Sequence, residues 1–361
     1  MLYICHAQDA MKDLSDIPFF FIIGRPRSGT TLIQSLFDAH PNVQMPWECQ
    51  LILNLYSRYG KIRVWTEEKL MDFYHDLFRQ WQFHVWPIEK EKLRKELLAC
   101  KGPTPYSTVC KVVYNNYISF FDKKEIMVFG DKNHGYSIYT RRLKKIFPEA
   151  KFIFIIRDYR DNFYSIKNVD FELPVVSLVV YKWKYFFLKV TEDARNDSGS
   201  YYFIRYEDFV ADPVAQFRKL CEFVGIDYVP EVFDFYKVGE EVKKRYPADV
   251  MAKHHASLFK PVSAVNVGKW EKYLSPRMVK IADHVAGKVA GQAGYSRKYV
   301  KASPWIKLQA LPGICYAKGL YFLTYIIDKF PYHWRERILN RGPLLLARTF
   351  AWVSPSEKKP Q

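Results

Sequence analysis

The stretch FFFIIGRPRSGTTLI, Phe19–Ile33, decides the fold, because an apolar run of strand length leads into a glycine-bounded basic loop and then a helical pattern. Backbone N–H groups at the N-terminus of a helix bind anions, and glycines let a loop bend closely around one. We therefore predict an anion-binding loop that follows a buried strand. A tight loop without a ligand is the alternative for this segment taken alone.

The side chains of this loop indicate which kind of anion it binds. The spacing from Gly24 to Gly29 matches the nucleoside-triphosphate motif G-x-x-x-x-G-K-[ST], but Thr30 stands where a lysine would reach the β- and γ-phosphates. A smaller, singly bridged anion is therefore expected. The residues expected to bind it through side chains and backbone donors are Arg27, Ser28, Gly29, Thr30 and Thr31.

The whole chain of 361 residues is strongly basic, with a formal net charge of +17. Such an excess favours anionic partners, although solvated Lys and Arg faces without a partner are the alternative. The six cysteines show no C-x-x-C pair and no metal-ligand spacing, so we expect free thiols and no metal. Residues 1–16 lack a signal-peptide core and Gly319–Ile327 is too short to span a bilayer, which predicts a cytoplasmic protein without a transmembrane anchor.

Short apolar runs alternate with longer helical patterns along the chain, which predicts βαβ units around a parallel sheet. The predicted strands are Phe19–Ile23, Ile126–Phe129, Phe152–Ile156 and Tyr201–Ile204. We predict a P-loop-like, three-layer α/β fold over residues 1–300, with helices on both sides of the sheet and a helical insertion at about residues 50–125. Residues 301–361 are predicted to form a basic, aromatic-rich, helical C-terminal extension.

A second basic motif follows another predicted strand. Arg157 comes directly after Phe152–Ile156, and Ser165 follows eight residues later on the next predicted helix. Open parallel sheets bind ligands at the carboxyl ends of their strands, so Arg157 and the first loop are expected to face one crevice and hold two separate phosphates. A surface ion pair of Arg157 with Asp158 or Asp161 is the alternative.

Lys132 lies just beyond the predicted strand Ile126–Phe129, in the segment Gly130–Gly135. The same argument places it at the mouth of the crevice, where a positive charge stabilises negative charge that develops on a bridging oxygen. A solvent-facing lysine is the alternative.

Together, the segments Gly24–Leu32 and Ile156–Arg160, with Ser165, resemble the sulfotransferases that use 3′-phosphoadenosine 5′-phosphosulfate (PAPS). The resemblance is greatest to the branch of the tyrosylprotein sulfotransferases and their bacterial relatives. It implies that the first loop grips the 5′-phosphosulfate, and that Arg157 and Ser165 hold the 3′-phosphate. It also implies adenosine 3′,5′-bisphosphate (PAP) as the product and no metal.

Three further segments are similar to that family, and the resemblance extends over about residues 17–295. Asp38–Val43 resembles the end of the first helix. In Phe203–Asp208, Tyr206 has the position of a tyrosine that contacts the nucleotide, and in Val267–Trp270, Lys269 belongs to the segment that closes over the cofactor.

The resemblance implies two candidates for the catalytic base. Sulfuryl transfer needs a base for the acceptor hydroxyl and a cation near the departing oxygen, and Lys132 is the expected cation. Glu48 has the position of the catalytic carboxylate of the protein-tyrosine branch and is preferred. His134 has the spacing from Lys132 that the small-molecule branch uses for its catalytic histidine, and is the rival. A helix-capping Glu48 and a hydrogen-bonded loop His134 are the non-catalytic alternatives.

The acceptor is predicted from the positions at which this sequence differs from the protein-tyrosine sulfotransferases, and from the C-terminal extension. Gln50 stands where the protein-tyrosine enzymes have an arginine, and the segment before Lys260 offers His254, His255 and Ser257 in place of their cofactor-contacting serine. Leu311–Phe330 and Trp334–Trp352 mix basic, aromatic and aliphatic residues, as interfacial elements do, although ordinary core helices are the alternative.

We therefore predict a hydroxyl acceptor of hydrophobic character, such as a lipid or a sterol, met at an anionic membrane surface. Sulfation of a protein tyrosine or of a glycan hydroxyl is the alternative acceptor chemistry, and no nucleic-acid partner is expected. A P-loop kinase and a non-catalytic membrane-associated scaffold are rival functions. A kinase should carry lysine at position 30 and an acidic Mg²⁺ ligand after a strand, for which Asp131 is the candidate.

Overall fold

A five-stranded sheet forms the centre of the fold, with the order β2-β3-β1-β4-β5 and parallel pairing between all neighbours. The computed structural model describes residues 14–169, 171–238 and 261–330, together with residue 334. The predicted α/β fold is confirmed. The strands are β1 (Phe19–Gly24), β2 (Val43–Gln44), β3 (Val128–Lys132), β4 (Lys151–Ile156) and β5 (Tyr201–Arg205).

Helices connect the strands and cover both faces of the sheet. Four of them, α2 to α5, lie between β2 and β3, in the region of the predicted insertion. The α-helices are α1 (Thr30–Asp38), α2 (Leu51–Tyr59), α3 (Glu67–Phe78), α4 (Lys90–Ala99), α5 (Tyr106–Asn115), α6 (Thr140–Ile146), α7 (Tyr159–Ile166), α8 (Val176–Ala194), α9 (Tyr206–Ala211), α10 (Pro213–Val224), α11 (Lys269–Tyr273), α12 (Pro276–Ala286), α13 (Lys288–Gln292) and α14 (Pro304–Ile327).

The central strand β1 is buried on both of its faces. Phe19, Phe21 and Ile23 belong to one hydrophobic cluster, whereas Phe20 and Ile22 belong to a second cluster on the opposite side. Successive side chains of a strand point to opposite faces, so a continuous apolar run is what a strand between two helical layers requires. This double burial explains why Phe19–Ile23 contains no polar residue.

The carboxyl ends of β1, β3 and β4 lie together at one edge of the sheet. Lys132, at the end of β3, is in register with Ile22, and Gly24, at the end of β1, is in register with Ile155. Because β1 lies between β3 and β4, the chain runs from β1 to strands on one side of it and later to strands on the other side, which opens a crevice at this edge. The predicted motifs that follow these strands therefore share one edge.

The last described helix, α14, packs against α8 and α12. It begins at Pro304, where the Ser303 hydroxyl accepts a hydrogen bond from the backbone N–H of Ile306. Its 24 residues make it much longer than the expected apolar run Gly319–Ile327, and by length and composition it is sufficient to cross a bilayer. The expectations for His254, His255, Ser257 and Lys260, and for Trp334–Trp352 apart from residue 334, fall outside the described residues.

Candidate active site

Two glycines shape the loop after β1. Gly24 has a φ of 145°, and a Cβ there would lie 2.4 Å from the carbonyl oxygen of Ile155. Gly29 has a φ of 93°, and a Cβ there would lie 2.5 Å from Cδ2 of Tyr206. Both positions therefore exclude any side chain, and the loop can be this tight only with glycine.

Arg27 holds the loop in a strained form. Its φ of 65° lies in the left-handed region, which costs a non-glycine residue about 1–3 kcal/mol. Neighbouring side chains hold this form: Arg157 Nη1 donates to the carbonyl oxygen of Arg27 at 2.9 Å, and Asn162 Nδ2 donates to the carbonyl oxygen of Pro26 at 2.7 Å. Asn162 also donates to Ser28 Oγ at 3.2 Å, so this residue of α7 fixes the loop through two hydrogen bonds.

The N-terminus of α1 points into this loop. Gly29 is the N-cap residue and supplies no side-chain hydrogen bond, so the first backbone N–H groups have no side-chain cap. Ser28 and Thr30 are buried beside it, whereas Thr31 is half-buried. The positive end of the helix dipole and these donors favour an anion at this point.

Two guanidinium groups lie side by side next to the loop. Arg27 Nε donates to Ser165 Oγ at 3.1 Å, and burial together with the charge of Arg157 lowers the pKa of Arg27. The buried Nε of Arg157 has no hydrogen-bond partner, and no carboxylate of the described residues forms an ion pair with Arg157. Two adjacent cations of this kind fit a phosphate between or beside them.

The predicted alternative, a surface ion pair of Arg157, is not present in the described part of the chain. Asp158 pairs instead with Arg160, whose Nη2 lies 2.6 Å from Oδ2. Asp161 accepts hydrogen bonds from the backbone N–H groups of Gly268 at 2.7 Å and Trp270 at 2.8 Å. Asp161 therefore caps α11 and fixes the late segment beside α7.

This late segment closes one side of the arginine pair. Arg157 Nη2 donates to the carbonyl oxygen of Asn266 at 2.5 Å, and its guanidinium lies 4.9 Å from the centre of the Tyr206 ring. Lys269 Nζ donates to Asn266 Oδ1 at 2.7 Å, so Lys269 is linked to Arg157 through Asn266. The structure thus brings Arg27, Arg157, Ser165, Tyr206 and Lys269 to one place.

Glu48 and Lys132 form an ion pair on the other side of the loop. Lys132 Nζ lies 2.5 Å from Glu48 Oε2, and only 3% of the lysine side chain is exposed. Lys132 is therefore not the solvent-facing lysine of the alternative interpretation. The N-cap residue of α2 is Gln50 and not Glu48. An acid–base group and a cation are adjacent here.

His134 lies against the same carboxylate. Its Nδ1 lies 3.2 Å from the carbonyl oxygen of Gly24, and since a carbonyl only accepts, Nδ1 carries the proton. Its Nε2 therefore presents a lone pair, 3.8 Å from Glu48 Oε2. Burial, reinforced by the nearby positive charge of Lys132, lowers the pKa of His134 to about 4, so the ring is neutral at pH 7.

A buried polar cluster joins the segments that carry these groups. Asp131 accepts hydrogen bonds from the Tyr114 hydroxyl at 2.6 Å and from Asn133 Nδ2 at 2.8 Å, and Asn133 also donates to the carbonyl oxygen of Cys49 at 3.3 Å. Burial raises the pKa of Asp131 to about 7. Asp131 is therefore a buried structural carboxyl that fixes β3 to the residue after Glu48.

The described residues contain no group of three or more His, Cys, Asp or Glu that could hold a metal ion. The described cysteines are all free, as expected. Of these, Cys49 lies directly behind Glu48, where burial raises the pKa of its thiol.

Comparison with known proteins decides the family. The model of the Sulfotransferase family matches residues 18–230, more than half of the chain. The chain belongs to the Sulfotransferase family. The match includes both arginines, both candidate bases and Lys132.

Several known proteins are similar to this sulfotransferase. Protein-tyrosine sulfotransferase A of Caenorhabditis elegans is 27% identical over 287 residues, which are 74% of this chain and 65% of that protein. Protein-tyrosine sulfotransferase of Drosophila melanogaster is 24% identical over 316 residues, 81% of this chain and 55% of that protein. The chain therefore spans less than two thirds of the length of these relatives. The solved sulfotransferase domain of a Synechococcus olefin synthase has a TM-score of 0.48 at 18% identity, and the match covers 74% of this chain and 94% of that domain.

Sequence reasoning missed several residues that shape the site of this sulfotransferase. Asn162, Asp161 and Asn266 stand inside or beside quoted motifs, but their hydrogen bonds join segments that are distant in sequence. Arg25 and Glu172 were also missed: the Arg25 guanidinium donates to both oxygens of Glu172, at 2.7 and 2.6 Å, in a largely buried ion pair. For Asn162 and Asp161, polar residues on the first turn of a helix after a buried strand were an available signal.

Proposed function

We propose that this chain transfers the sulfuryl group of PAPS to an acceptor hydroxyl. The observation that carries the proposal is the adjacent pair Arg27 and Arg157, beside a helix N-terminus that has no side-chain cap. When bound, PAPS supplies a sulfuryl group on a good leaving phosphate. The residues fit its two anionic ends, because the buried Nε of Arg157 has an unused hydrogen-bond donor and the N-terminus of α1 has no side-chain cap.

In this proposal the loop and the arginine pair divide the work of binding. Ser28, Gly29, Thr30 and Thr31 would hold the 5′-phosphosulfate through hydroxyl and backbone donors, with Arg27 beside them. Arg157 and Ser165 would hold the 3′-phosphate. Tyr206 would contact the nucleotide, and Lys269 would stabilise the closing segment through Asn266. The close contact of Tyr206 with Gly29 supports one continuous binding surface.

Catalysis in this proposal uses the pair at the end of β3. Glu48 takes the proton of the acceptor hydroxyl, whose oxygen then forms the new S–O bond as the old bond to the phosphate oxygen breaks. Lys132 stabilises the negative charge that collects on the departing oxygen. The products are a sulfate ester and PAP, and the proton remains on Glu48.

His134 supports this role for Glu48 and remains the rival base. Its low pKa makes it a weak base at pH 7, whereas its lone pair on Nε2 faces the same region as Glu48 Oε2. It is therefore suited to accept a hydrogen bond from the acceptor hydroxyl and orient it toward Glu48.

The acceptor that the comparisons favour is a protein tyrosine, since the similar proteins include several named protein-tyrosine sulfotransferases. We therefore place tyrosine first, ahead of the lipid or sterol that the sequence alone suggested. A lipid or sterol hydroxyl is the second candidate, because the exposed apolar helix α14 packs against α8 and is connected to Arg25 of the loop through Tyr321 and Phe186. Gln50, near Gly135 and close to the candidate bases, is a residue at which acceptor selection can differ from that of the tyrosine enzymes.

One experiment tests both the transfer reaction and the identity of the acceptor. The protein is incubated with radiolabelled PAPS and a panel of tyrosine peptides, matched phenylalanine peptides, sterols, lipids and glycans, and the products are identified by mass spectrometry. We expect label in a tyrosine peptide and none in its phenylalanine partner. Transfer to a sterol alone would replace the acceptor but keep the reaction.

A binding measurement tests the donor separately from the acceptor. PAP without metal should raise the melting temperature of the protein, whereas ATP with Mg²⁺ should not. Stabilisation by ATP and Mg²⁺ alone would overturn the proposed reaction in favour of a kinase.

A further inference from the structure

Helix α14 has two apolar sides, and the small residues are on the packed side. Ala310, Gly313 and Ala317 are buried against the body of the protein. A Cβ on Gly313 would lie 2.2 Å from Ser177 Oγ and 2.8 Å from the backbone nitrogen of Leu178, so α14 approaches α8 very closely. Such close contacts through small residues let two helices approach each other, and the large side chains of Ile306 and Tyr321 add to the packed side.

Five large apolar residues of α14 point away from the protein, whereas Ile306 is buried and Tyr321 packs on Tyr185. At about 100° per residue these five occupy an arc of about 120° that contains no charged residue. Phe322 is 66% exposed and Trp305 is 64% exposed. We call this arc the outer face; its most exposed large residues are Trp305, Leu308, Leu311, Phe322 and Leu323. A soluble surface helix has the reverse arrangement, with its large apolar residues inside.

The surroundings of the outer face are strongly basic. Residues 276–330 contain nine lysines and arginines but only two acidic residues, Asp283 and Asp328. Both acidic residues have partners outside α14: Asp283 accepts a hydrogen bond from the Tyr159 hydroxyl, and Asp328 forms an ion pair with Arg142. The basic residues lie close together, since burial and the charges of Lys307, Lys184 and Arg297 together lower the pKa of His284.

The positive charge around the outer face indicates which kind of partner surface covers it. A second copy of the chain would bring an equal excess of positive charge against the first, which opposes association. A bilayer that contains anionic lipids offers both an apolar interior for the large side chains and negative headgroups for the lysines. An anionic bilayer is therefore the occupant that matches both properties.

Helix α14 also lies close to the loop after β1. The ring of Tyr321 stacks on Tyr185 with centroids 3.9 Å apart and lies 6.4 Å from that of Phe186. The Arg25 guanidinium lies 5.4 Å from the centre of the Phe186 ring. Two ring contacts therefore connect α14 to the first residue of the loop.

We propose that the outer face of α14 docks flat on the interfacial region of an anionic bilayer and holds the active-site loop near the membrane surface. The large side chains enter the headgroup boundary, and the flanking lysines contact anionic headgroups. This docking does not depend on the reaction assigned above, since it rests on α14 and its charged surroundings.

The test is vesicle co-sedimentation of the full chain with phosphatidylcholine vesicles, with and without phosphatidylglycerol. The outer-face variant carries Leu308→Ser and Phe322→Ser. The matched control carries Val64→Ser and Trp81→Ser, which remove two apolar residues of similar exposure that lie outside α14. Circular dichroism and thermal unfolding of each variant show whether it is folded.

We expect binding to phosphatidylglycerol vesicles by the wild type and the control, and about tenfold or greater loss in the outer-face variant. Equal binding by the outer-face variant would overturn the proposal. The proposal would also be overturned if the wild type did not bind these vesicles, for example because it forms a concentration-dependent dimer through Leu308 and Phe322.

Discussion

Lys132 Nζ and Glu48 Oε2 lie 2.5 Å apart, in an ion pair that joins the carboxyl end of β3 to the segment before α2. The pair places a proton acceptor and a cation in direct contact. Sulfuryl transfer needs one group of each kind, a base for the attacking oxygen and a cation for the departing oxygen. The pairing therefore makes separate predictions for its two members.

Glu48→Gln should lower kcat by about 10²- to 10⁴-fold, because the amide cannot take the acceptor proton. The affinity for PAP should stay within about twofold, since PAP lacks the acceptor. Kinetics under saturating donor, with calorimetric titration of PAP, separates these effects. If kcat is unchanged in Glu48→Gln but falls in His134→Asn, the base is His134.

Lys132→Met should lower kcat by about 10²- to 10³-fold, because the departing oxygen loses its cation. An acceptor-independent assay strengthens the assignment: slow hydrolysis of PAPS to PAP should fall in the same proportion. Lys111→Met is the matched control, since Lys111 is equally buried but pairs with Glu149, away from the site. Equal losses in the two variants would show a structural role for Lys132.

Arg157→Lys should raise the Kd for PAP by about 10- to 100-fold, because lysine cannot keep the bonds to Arg27 and Asn266 and also bind a phosphate. The affinity for adenosine 5′-phosphate, which has no 3′-phosphate, should change much less. Titration of both nucleotides checks this difference. Arg94→Lys, on exposed helix α4, should bind both as the wild type does. An equal loss for the two nucleotides would contradict the assignment to the 3′-phosphate.

Gly29→Ala should abolish measurable PAP binding, because its Cβ would collide with the Tyr206 ring and its φ of 93° disfavours any side chain. Gly199→Ala is the control, since a Cβ there meets no atom within 4 Å. Circular dichroism and PAP titration of the two variants provide the comparison. PAP affinity close to wild type in Gly29→Ala would show that the donor does not use this loop.

Protonation of His134 should make stability depend on pH. Its folded pKa of about 4 lies below the ordinary value of 6.5, so between these values the unfolded chain binds a proton that the folded chain does not. The free energy of unfolding should therefore rise with pH across this window, by up to about 3 kcal/mol, and this group adds no further rise above it.

His134→Asn should lose this rise, since the asparagine can still donate to Gly24 but does not titrate. Urea unfolding of both proteins between pH 4 and 7 measures the difference. Asp131 acts in the opposite direction, because its raised pKa makes stability fall as the pH rises toward about 7. Asp131 is present in both proteins, so subtraction isolates His134. Parallel pH curves would contradict the neutral buried histidine.

The sequence predicted four of the five strands, because each contains an apolar run. The predicted run Ile126–Phe129 covers only the start of β3, which continues through Gly130 and the buried charged residues Asp131 and Lys132. The two residues of β2, Val43 and Gln44, form too short a run to have a pattern, and they become a strand only by pairing with β3. The predicted apolar run was only Gly319–Ile327, whereas helix α14 begins at Pro304 and continues through Lys307 and Lys318.

For the site, residue types at the ends of strands were predictable, since parallel strands bring their carboxyl ends together. The hydrogen bonds that fix them were not. Asp161 reaches Gly268, and Arg25 reaches Glu172, across more than one hundred residues, and only the packing of α7 and α8 determines those pairs. The domain boundary at residue 300, the cytoplasmic location and the roles of the site residues stay predictions.

Gly24 links the two halves of the site through a single residue. Its N–H donates to Ser137 Oγ, its carbonyl oxygen contacts His134 Nδ1, and the loop expected to bind the donor begins at the next residue. A donor that pulls on this loop also moves the partner that orients His134 on the acceptor side. Donor and acceptor should therefore bind with a mutual coupling free energy, and each should change the affinity of the other by the same factor.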